Sequence, residues 1–486
     1  MVRSVLVLLA GCCLVAAQQP AAGGEDAALV RRIDAAVTRV LAATGTPSVS
    51  IAVIRDGKMV LTRAWGLARE TPRVAATPDT RYAIGSISKQ FSAAAILLLQ
   101  QDGKLRLDDR VGRHLPGLPH GNDVTIRQLL AHTAGYEDYW PQEYVPPYMR
   151  KAADVPQILK IWAARPLTIP PGQQWQYSNT NYVVAGAIVE KVSGVSLFEL
   201  LRARIFRPLG MSSVFDFTKG QPPALAAEGY SQYGLGPRHP APKEANAWLF
   251  AAGDLAMTAK DLALWDLSII SRSVLDSASY REQETEVRRA DGTATGYGLG
   301  VQIGTRGQER TVWHAGGVSG FEATNIVYPT SRAAVSVLAN GEFGAVSSIA
   351  QIITGSLFAA GAQSDNPQEW PRILSPMAVA LSTRPAAVQA RTIFESLQQG
   401  KLDRSRFSEN GNAYFTRQAV DEFAASLAPL GPPMHFWQAS EEKLGPMTGR
   451  RYYAWFADRT LFVSTIELSD GRFEQFLVTP VAPMWR

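Results

Sequence analysis

Ala83-Ile84-Gly85-Ser86-Ile87-Ser88-Lys89 heads a long segment rich in Ala and Leu that runs through Gln101 and meets a stop signal at Asp102-Gly103. The pattern predicts a helix from Ser86 to Gln101 with an S-x-x-K motif on its first turn. At positions i and i+3 the Ser86 hydroxyl and the Lys89 amine share one face, so the amine can accept the hydroxyl proton. A helix N-terminus adds unpaired N–H groups and a positive dipole suited to a developing oxyanion. The motif alone decides nothing, because 33 Ser and 11 Lys in 486 residues give about 0.7 such pairs by chance. Ser440-Glu441-Glu442-Lys443 is indeed a second match, expected in a polar turn near the C-terminus, whereas Ser86 opens an apolar helix. The plain alternative for Ser86 and Lys89 is a capping serine and a solvated lysine.

Outward from this segment, Ile33, Val37, Val40 and Leu41 fall on one face of a helix between Ala28 and Ala42. Ser48 to Ile54 and Met59 to Trp65 then form a hairpin about Asp56-Gly57. A further helix spans Asn181 to Ser193 and ends at Gly194. Val312 to Trp313 and Thr324 to Ala339 read as strands. Strands at both ends with helices between predict an α/β (α+β) domain whose one sheet is assembled from the two ends of the segment.

Two more motifs change the weight of Ser86. Tyr177-Ser178-Asn179 is the only Y-x-N in the chain, and His314-Ala315-Gly316-Gly317 follows the apolar pair Val312 and Trp313. The order Ser-Lys, Tyr-Asn, His-x-Gly resembles the serine β-lactamase and penicillin-binding superfamily, in particular the class C β-lactamase-like branch with its esterases and D-stereospecific peptidases. The resemblance covers residues 28 to 360 and extends to Leu129-Leu130-Ala131-His132-Thr133-Ala134-Gly135, Pro171-Gly172 and Ala251-Ala252-Gly253-Asp254-Leu255. It implies a β-lactamase-like fold, an antiparallel sheet flanked by helices plus an all-helical lobe, over residues 28–361.

By the same resemblance Ser86 is the acylated nucleophile and Lys89 its proton acceptor. A lysine at its free pKa of about 10.4 is a poor base at neutral pH, so Lys89 must be neutral or share its proton, with Tyr177 as the candidate partner. Tyr177 would relay the proton to the leaving group and activate the deacylating water, and Asn179 would hold Lys89 and the substrate amide. The backbone N–H groups of Ser86 and Gly317 would form the oxyanion hole, with Gly316 and Gly317 allowing close backbone approach. His314, Ala315 and Gly316 would bind substrate, His314 as an electrostatic or hydrogen-bonding wall. His132 reads as a structural residue behind the site.

Members that recognise a carboxylate carry a threonine where this chain has Ala315, and often a hydroxyl where it has Gly317. The departure favours an esterase or a D-aminopeptidase-like enzyme cleaving an ester, amide or peptide. A β-lactamase or D-Ala-D-Ala carboxypeptidase is the alternative within the superfamily, and an inactive binding or regulatory homologue the alternative outside enzymology. The chain has no G-x-S-x-G and no H-E-x-x-H, and its six His lack metal-ligand spacing, so neither metal nor organic cofactor is expected.

Net charge is +5 without any block of like charges, which points away from nucleic acid and anionic membrane. Residues 1–17 carry Arg3, an apolar run from Val5 and small residues before Gln18, and read as a signal peptide for an exported, periplasmic or secreted protein. Leu9-Ala10-Gly11-Cys12 leaves a lipid anchor at Cys12 as the alternative. Cys12 and Cys13 are the only cysteines, so no disulfide framework and no thiol nucleophile is expected. No run approaches the roughly 20 apolar residues of a transmembrane span. A polar linker at 362–372 precedes a small α+β domain, 373–486, with helices at Ala386–Gln399 and Thr416–Leu427 and four strands. A lid, a dimer contact and a separate binding unit all remain open for it, and the oligomeric state carries no sequence signal.

Overall fold

The computed structural model describes residues 24–220, 222–358 and 382–481. The expected signal segment, Cys12 and the 362–372 linker lie outside the described residues.

A seven-stranded antiparallel sheet is the frame of the larger unit. Its strands are β1 (Ser48–Arg55), β2 (Lys58–Arg69), β3 (Val74–Ala75), β4 (Gln302–Arg306), β5 (Glu309–Val318), β6 (Phe321–Tyr328) and β7 (Ala333–Ala339). They lie in the order β3-β2-β1-β7-β6-β5-β4. Val49 of β1 pairs with Ala339 of β7, which joins the two ends of the segment in one sheet as the sequence predicts. The expected strand over Thr324–Ala339 is two strands, β6 and β7, separated by a turn in which Arg332 takes a positive φ of 51°.

Both faces of β1 are covered, which explains its continuous run of buried residues. Val49, Ile51 and Val53 pack beneath α1 (Gly24–Thr44) and the helix Ala345–Phe358. Ala52 and Ile54 point into the opposite layer, which holds α2 (Ser88–Gln101), α3 (Asn179–Ser193) and α4 (Ala259–Ser271). Each fully buried Val or Ile contributes about 1.5–3 kcal/mol.

A buried polar network fixes α2 against the sheet. Trp265 Nε1 donates to Gln90 Oε1 at 2.7 Å and Gln90 Nε2 donates to Asn325 Oδ1 at 2.8 Å. Asn325 Nδ2 and Ser336 Oγ in turn donate to the carboxylate of Asp266 at 2.7 and 2.6 Å. Such networks order their elements because an unmet buried donor costs about 1–3 kcal/mol. The helix that follows Ser86 is therefore held in register with β6 and β7.

Two sequence expectations change at the site's edges. Ser86 lies in a single 3-10 turn, Gly85–Ile87, and the α-helix begins at Ser88. The second helix begins at Asn179 rather than Asn181, with Ser178 in an extended conformation before it.

The smaller unit packs α5 (Pro385–Gln398) and α6 (Arg417–Leu427) on a four-stranded antiparallel sheet. The strands, in sheet order, are β8 (His435–Leu444), β9 (Met447–Trp455), β10 (Thr460–Glu467) and β11 (Phe473–Pro480). Phe436, Tyr452, Val463 and Phe476 join the helices in its core. Ser440 is not in a turn: it lies in β8 opposite Arg451. Three residues apart on a strand, Ser440 and Lys443 project to opposite faces, and Lys443 Nζ donates to Thr448 Oγ1 at 2.9 Å. The second S-x-x-K therefore cannot bring hydroxyl and amine together.

Candidate active site

The 3-10 turn presents the Ser86 hydroxyl to both Lys89 and Tyr177. Lys89 Nζ lies 3.0 Å from Ser86 Oγ, and the Tyr177 hydroxyl donates to the same oxygen at 2.8 Å. Lys89 is fully buried, and its amine also donates to Asn179 Oδ1 and to the Ala252 carbonyl, both at 2.8 Å. A neutral amine has two N–H bonds and one lone pair. With both N–H bonds taken by carbonyl oxygens, the lone pair is left facing Ser86.

Burial pushes the Lys89 amine down to about 7, while the Asp138 and Asp254 carboxylates pull it upward. Burial pushes the Tyr177 phenol upward, so it keeps its proton at neutral pH. Asn179 starts α3, where its N–H and Nδ2 donate to Asp138 Oδ1 at 3.0 and 3.1 Å. His132 is buried behind Tyr177, with ring centroids 4.3 Å apart, and its Nδ1 accepts from the Ser178 N–H at 3.2 Å. Burial, then the Lys89 charge, push its pKa down, so His132 stands there as a neutral ring.

Strand β5 closes the opposite side. A Cβ on Gly316 would lie 1.9 Å from the Ile84 carbonyl oxygen, and one on Gly85 would lie 2.7 Å from the Gly317 nitrogen. The Ser86 turn and the strand thus meet backbone to backbone. A Cβ on Gly317 would meet nothing within 4 Å, so internal packing does not require glycine at that position. Ala315 and Gly317 are exposed on one face of the strand, whereas His314 and Gly316 are buried on the other. The His314 Nε2 lies 2.8 Å from the Tyr297 hydroxyl and its Nδ1 2.5 Å from the Ala315 carbonyl. Burial, then Lys89, push the His314 pKa down to about 3, so it offers hydrogen bonding and no charge.

The β-lactamase family model matches residues 33–353, two thirds of the chain. The chain belongs to the β-lactamase family. A D-aminopeptidase of Brucella anthropi is 29% identical over 309 residues, 62% of this chain and 57% of that protein. The D-stereospecific amidohydrolase from Streptomyces sp. is 26% identical, with a TM-score of 0.58 over 68% of this chain and 99% of its own. A penicillin-binding protein from Bacillus halodurans is 26% identical, with a TM-score of 0.56 over 66% of this chain and 98% of its own. The β-lactamase-like fold and the serine hydrolase class follow.

Within this β-lactamase-family site, two groups were not singled out from the sequence. Asp138 sits in a loop with no pattern to mark it, yet it is 7% exposed and holds Asn179. The Ala252 carbonyl is a backbone atom, and backbone acceptors leave no residue-type signal; only the Ala251-Ala252-Gly253-Asp254-Leu255 run pointed to that place. No cluster of His, Cys, Asp and Glu able to hold a metal occurs among the described residues, and no helix among them is long and apolar enough to cross a membrane.

Proposed function

We propose that the chain hydrolyses an amide or ester of a small acyl group through an acyl-enzyme on Ser86, with D-amino acid amides or short peptides as the favoured substrates and simple esters as the second. One observation carries this reading: Lys89 Nζ donates to Asn179 Oδ1 and the Ala252 carbonyl and lies 3.0 Å from Ser86 Oγ, so that its neutral form would turn its lone pair to Ser86. A base matched to neutral pH and aligned on a nucleophile is the arrangement covalent catalysis requires.

In the proposed sequence the Ser86 proton moves to Lys89 Nζ as Oγ bonds to the substrate carbonyl carbon. The oxyanion takes hydrogen bonds from the N–H groups of Ser86 and Gly317. The C–N or C–O bond then breaks as Tyr177 gives its proton to the leaving atom, and the proton held by Lys89 replaces it. Water then attacks the acyl carbon as its proton passes to neutral Lys89, directly or with Tyr177 handing its own proton to Lys89 and taking the water's, and that proton returns to Ser86 Oγ as the acyl–Oγ bond breaks.

The D-aminopeptidase and D-stereospecific amidohydrolase relatives support an amide substrate. Ala315 and Gly317, without hydroxyls on the exposed strand face, speak against a β-lactam or carboxylate-terminated peptide. We further propose export through residues 1–17 and a division into units 28–361 and 373–486. The test is fluorophosphonate labelling followed by peptide mass spectrometry, with D-alanine p-nitroanilide, p-nitrophenyl acetate and nitrocefin compared as substrates. Label on Ser86 that Ser86→Ala abolishes is expected. Equal labelling of both proteins rejects the nucleophile, and nitrocefin as the best substrate rejects the reading of Ala315.

A further inference from the structure

The loop from Asp138 to Tyr144 touches the catalytic lysine's environment at one end and the smaller unit at the other. At the far end the Glu143 N–H donates to Gln475 Oε1 at 2.6 Å, and Glu143 Oε2 accepts from Gln475 Nε2 at 3.2 Å and Ser464 Oγ at 3.1 Å. Gln475 Nε2 also donates to Ser464 Oγ at 2.8 Å, and the Tyr144 hydroxyl donates to the Glu474 carbonyl at 2.7 Å. Gln475 is 2% exposed and Ser464 7%. A buried amide whose partners all lie in Glu143 and Ser464 forms a specific contact, since leaving its groups unmet costs about 1–3 kcal/mol. The β8–β9 turn adds a second touch: a Cβ on Gly445 would lie 2.7 Å from Nε2 of Gln176, the residue before Tyr177.

The near end sets an orientation. The two ends of an asparagine amide have nearly the same shape and opposite hydrogen-bonding sense. Asp138 accepts from Asn179 Nδ2, which turns Asn179 Oδ1 toward Lys89. In the reversed amide, Nδ2 would face Lys89 and compete with Ser86 for the lone pair.

We propose that the smaller unit is a scaffold for the catalytic site: Gln475 and Ser464 hold the 138–144 loop, and Asp138 on that loop is a positioning residue that orients Asn179 and, through it, Lys89. This rests on the Ser86–Lys89 reading above. It gives the smaller unit a structural task inside the reaction and makes the two units one functional enzyme.

The test uses the full chain in three forms, wild type, Asp138→Asn and the double variant Gln475→Ala/Ser464→Ala. Charged and titratable groups facing Lys89 are Asp138, Asp254, His132, His314, Tyr177 and Tyr182. Asp138 raises the proton affinity of Lys89, so Asp138→Asn moves the acid limb of kcat/KM to lower pH and lowers kcat by about tenfold or more, with KM little changed. The double variant lowers kcat and moves the limb the same way, by less, and loses hydrogen-exchange protection at the Asn179 amide. Wild-type kcat, limb and protection in the double variant would overturn the proposal. So would a loss of kcat with an unmoved limb, the mark of general loosening. If the double variant does not fold, Gln475→Glu serves: its carboxylate faces Glu143 and has no N–H to donate to it, so kcat and the Asn179 amide protection should both fall, and wild-type values of both overturn the clamp. Absence of Ser86 labelling in wild type, with the exchange effect intact, would reject the catalytic reading and leave the clamp standing.

Discussion

Gly316 and Ile84 meet backbone to backbone, so that a single methyl group on Gly316 would lie 1.9 Å from the Ile84 carbonyl oxygen. This contact locks the Ser86 turn against β5 and sets the distance between Ser86 and the Gly317 N–H. Because the obstacle is backbone, it cannot swing aside. Gly316→Ala is expected to destabilise the fold by at least about 2 kcal/mol and to abolish labelling of Ser86. Denaturant melts read the first effect and fluorophosphonate labelling the second; a variant with wild-type stability would show that strand and turn can separate.

On the exposed face of the same strand the outcome differs. Nothing occupies the space beside Gly317, so Ala315→Thr/Gly317→Ser should fold normally and place two hydroxyls where a substrate carboxylate would lie. Turnover of nitrocefin relative to p-nitrophenyl acetate should rise about tenfold, the worth of one or two hydrogen bonds to a charge. An unchanged ratio would remove hydroxyl deficiency as the ground for expecting poor carboxylate recognition.

Tyr177 supplies one of the two hydrogen bonds at Ser86 Oγ, at 2.8 Å. Replacing the hydroxyl in Tyr177→Phe removes the proposed proton carrier and keeps the ring packed on His132. We expect kcat to fall by about 10²–10⁴-fold with circular dichroism unchanged. Wild-type kcat would eliminate proton transfer by Tyr177.

The proposed mechanism requires neutral Lys89, whose amine is pushed down to about 7 by burial. The kcat/KM profile should therefore rise with pH through a midpoint near 7 and flatten above it. Lys89→Arg, which cannot lose its proton, should be inactive at every pH. Initial rates between pH 5 and 9 check both, and a rate independent of pH across that range would sink the lysine base.

Asp266 gives a stability prediction remote from the chemistry. Burial raises its carboxyl from 3.8 to about 7, and among the described residues the Asn325 and Ser336 donors, not a cation, face it. The folded state then binds more protons than the unfolded state between these values, so stability falls as pH rises through that window. Asp266→Asn keeps both contacts, with Oδ1 accepting from Asn325 and Nδ2 donating to Ser336. It should stabilise the protein at pH 8 by on the order of 1–3 kcal/mol and flatten the dependence from pH 4 to 7. Urea melts at pH 5 and pH 8 decide it; greater stability of wild type at pH 8 would contradict the sign.

Much of the frame was legible because it is written in periodicity and turn chemistry. The strand over Ser48–Ile54, the Asp56-Gly57 turn and the Gly194 cap each appear where the pattern places them. Boundaries were missed where tertiary contacts decide: the Gly316 approach holds Gly85–Ile87 as a 3-10 turn, and Asp138 binds the Asn179 N–H and starts α3 two residues early. The Ser440 motif was placed in a turn because its residues are polar, yet pairing with Arg451 puts it on a strand edge face open to water. The aromatics of the last strands divide by parity, with Phe436 and Tyr452 in the core and Trp437 and Tyr453 on the other face.

By itself the sequence determined the inventory: a serine and lysine one helical turn apart, a Tyr-x-Asn, a His-x-Gly-Gly, and no spaced cysteines or metal-ligand spacing to compete with them. These are covalent facts of order and spacing, and local rules read them. Only the tertiary structure decided what Lys89 faces, since Asn179, Ala252, Asp138 and Asp254 come from separate loops and helices. Proton affinity depends on burial and on charges across space, so an amine that is an ordinary lysine along the chain becomes a base near neutrality in the fold.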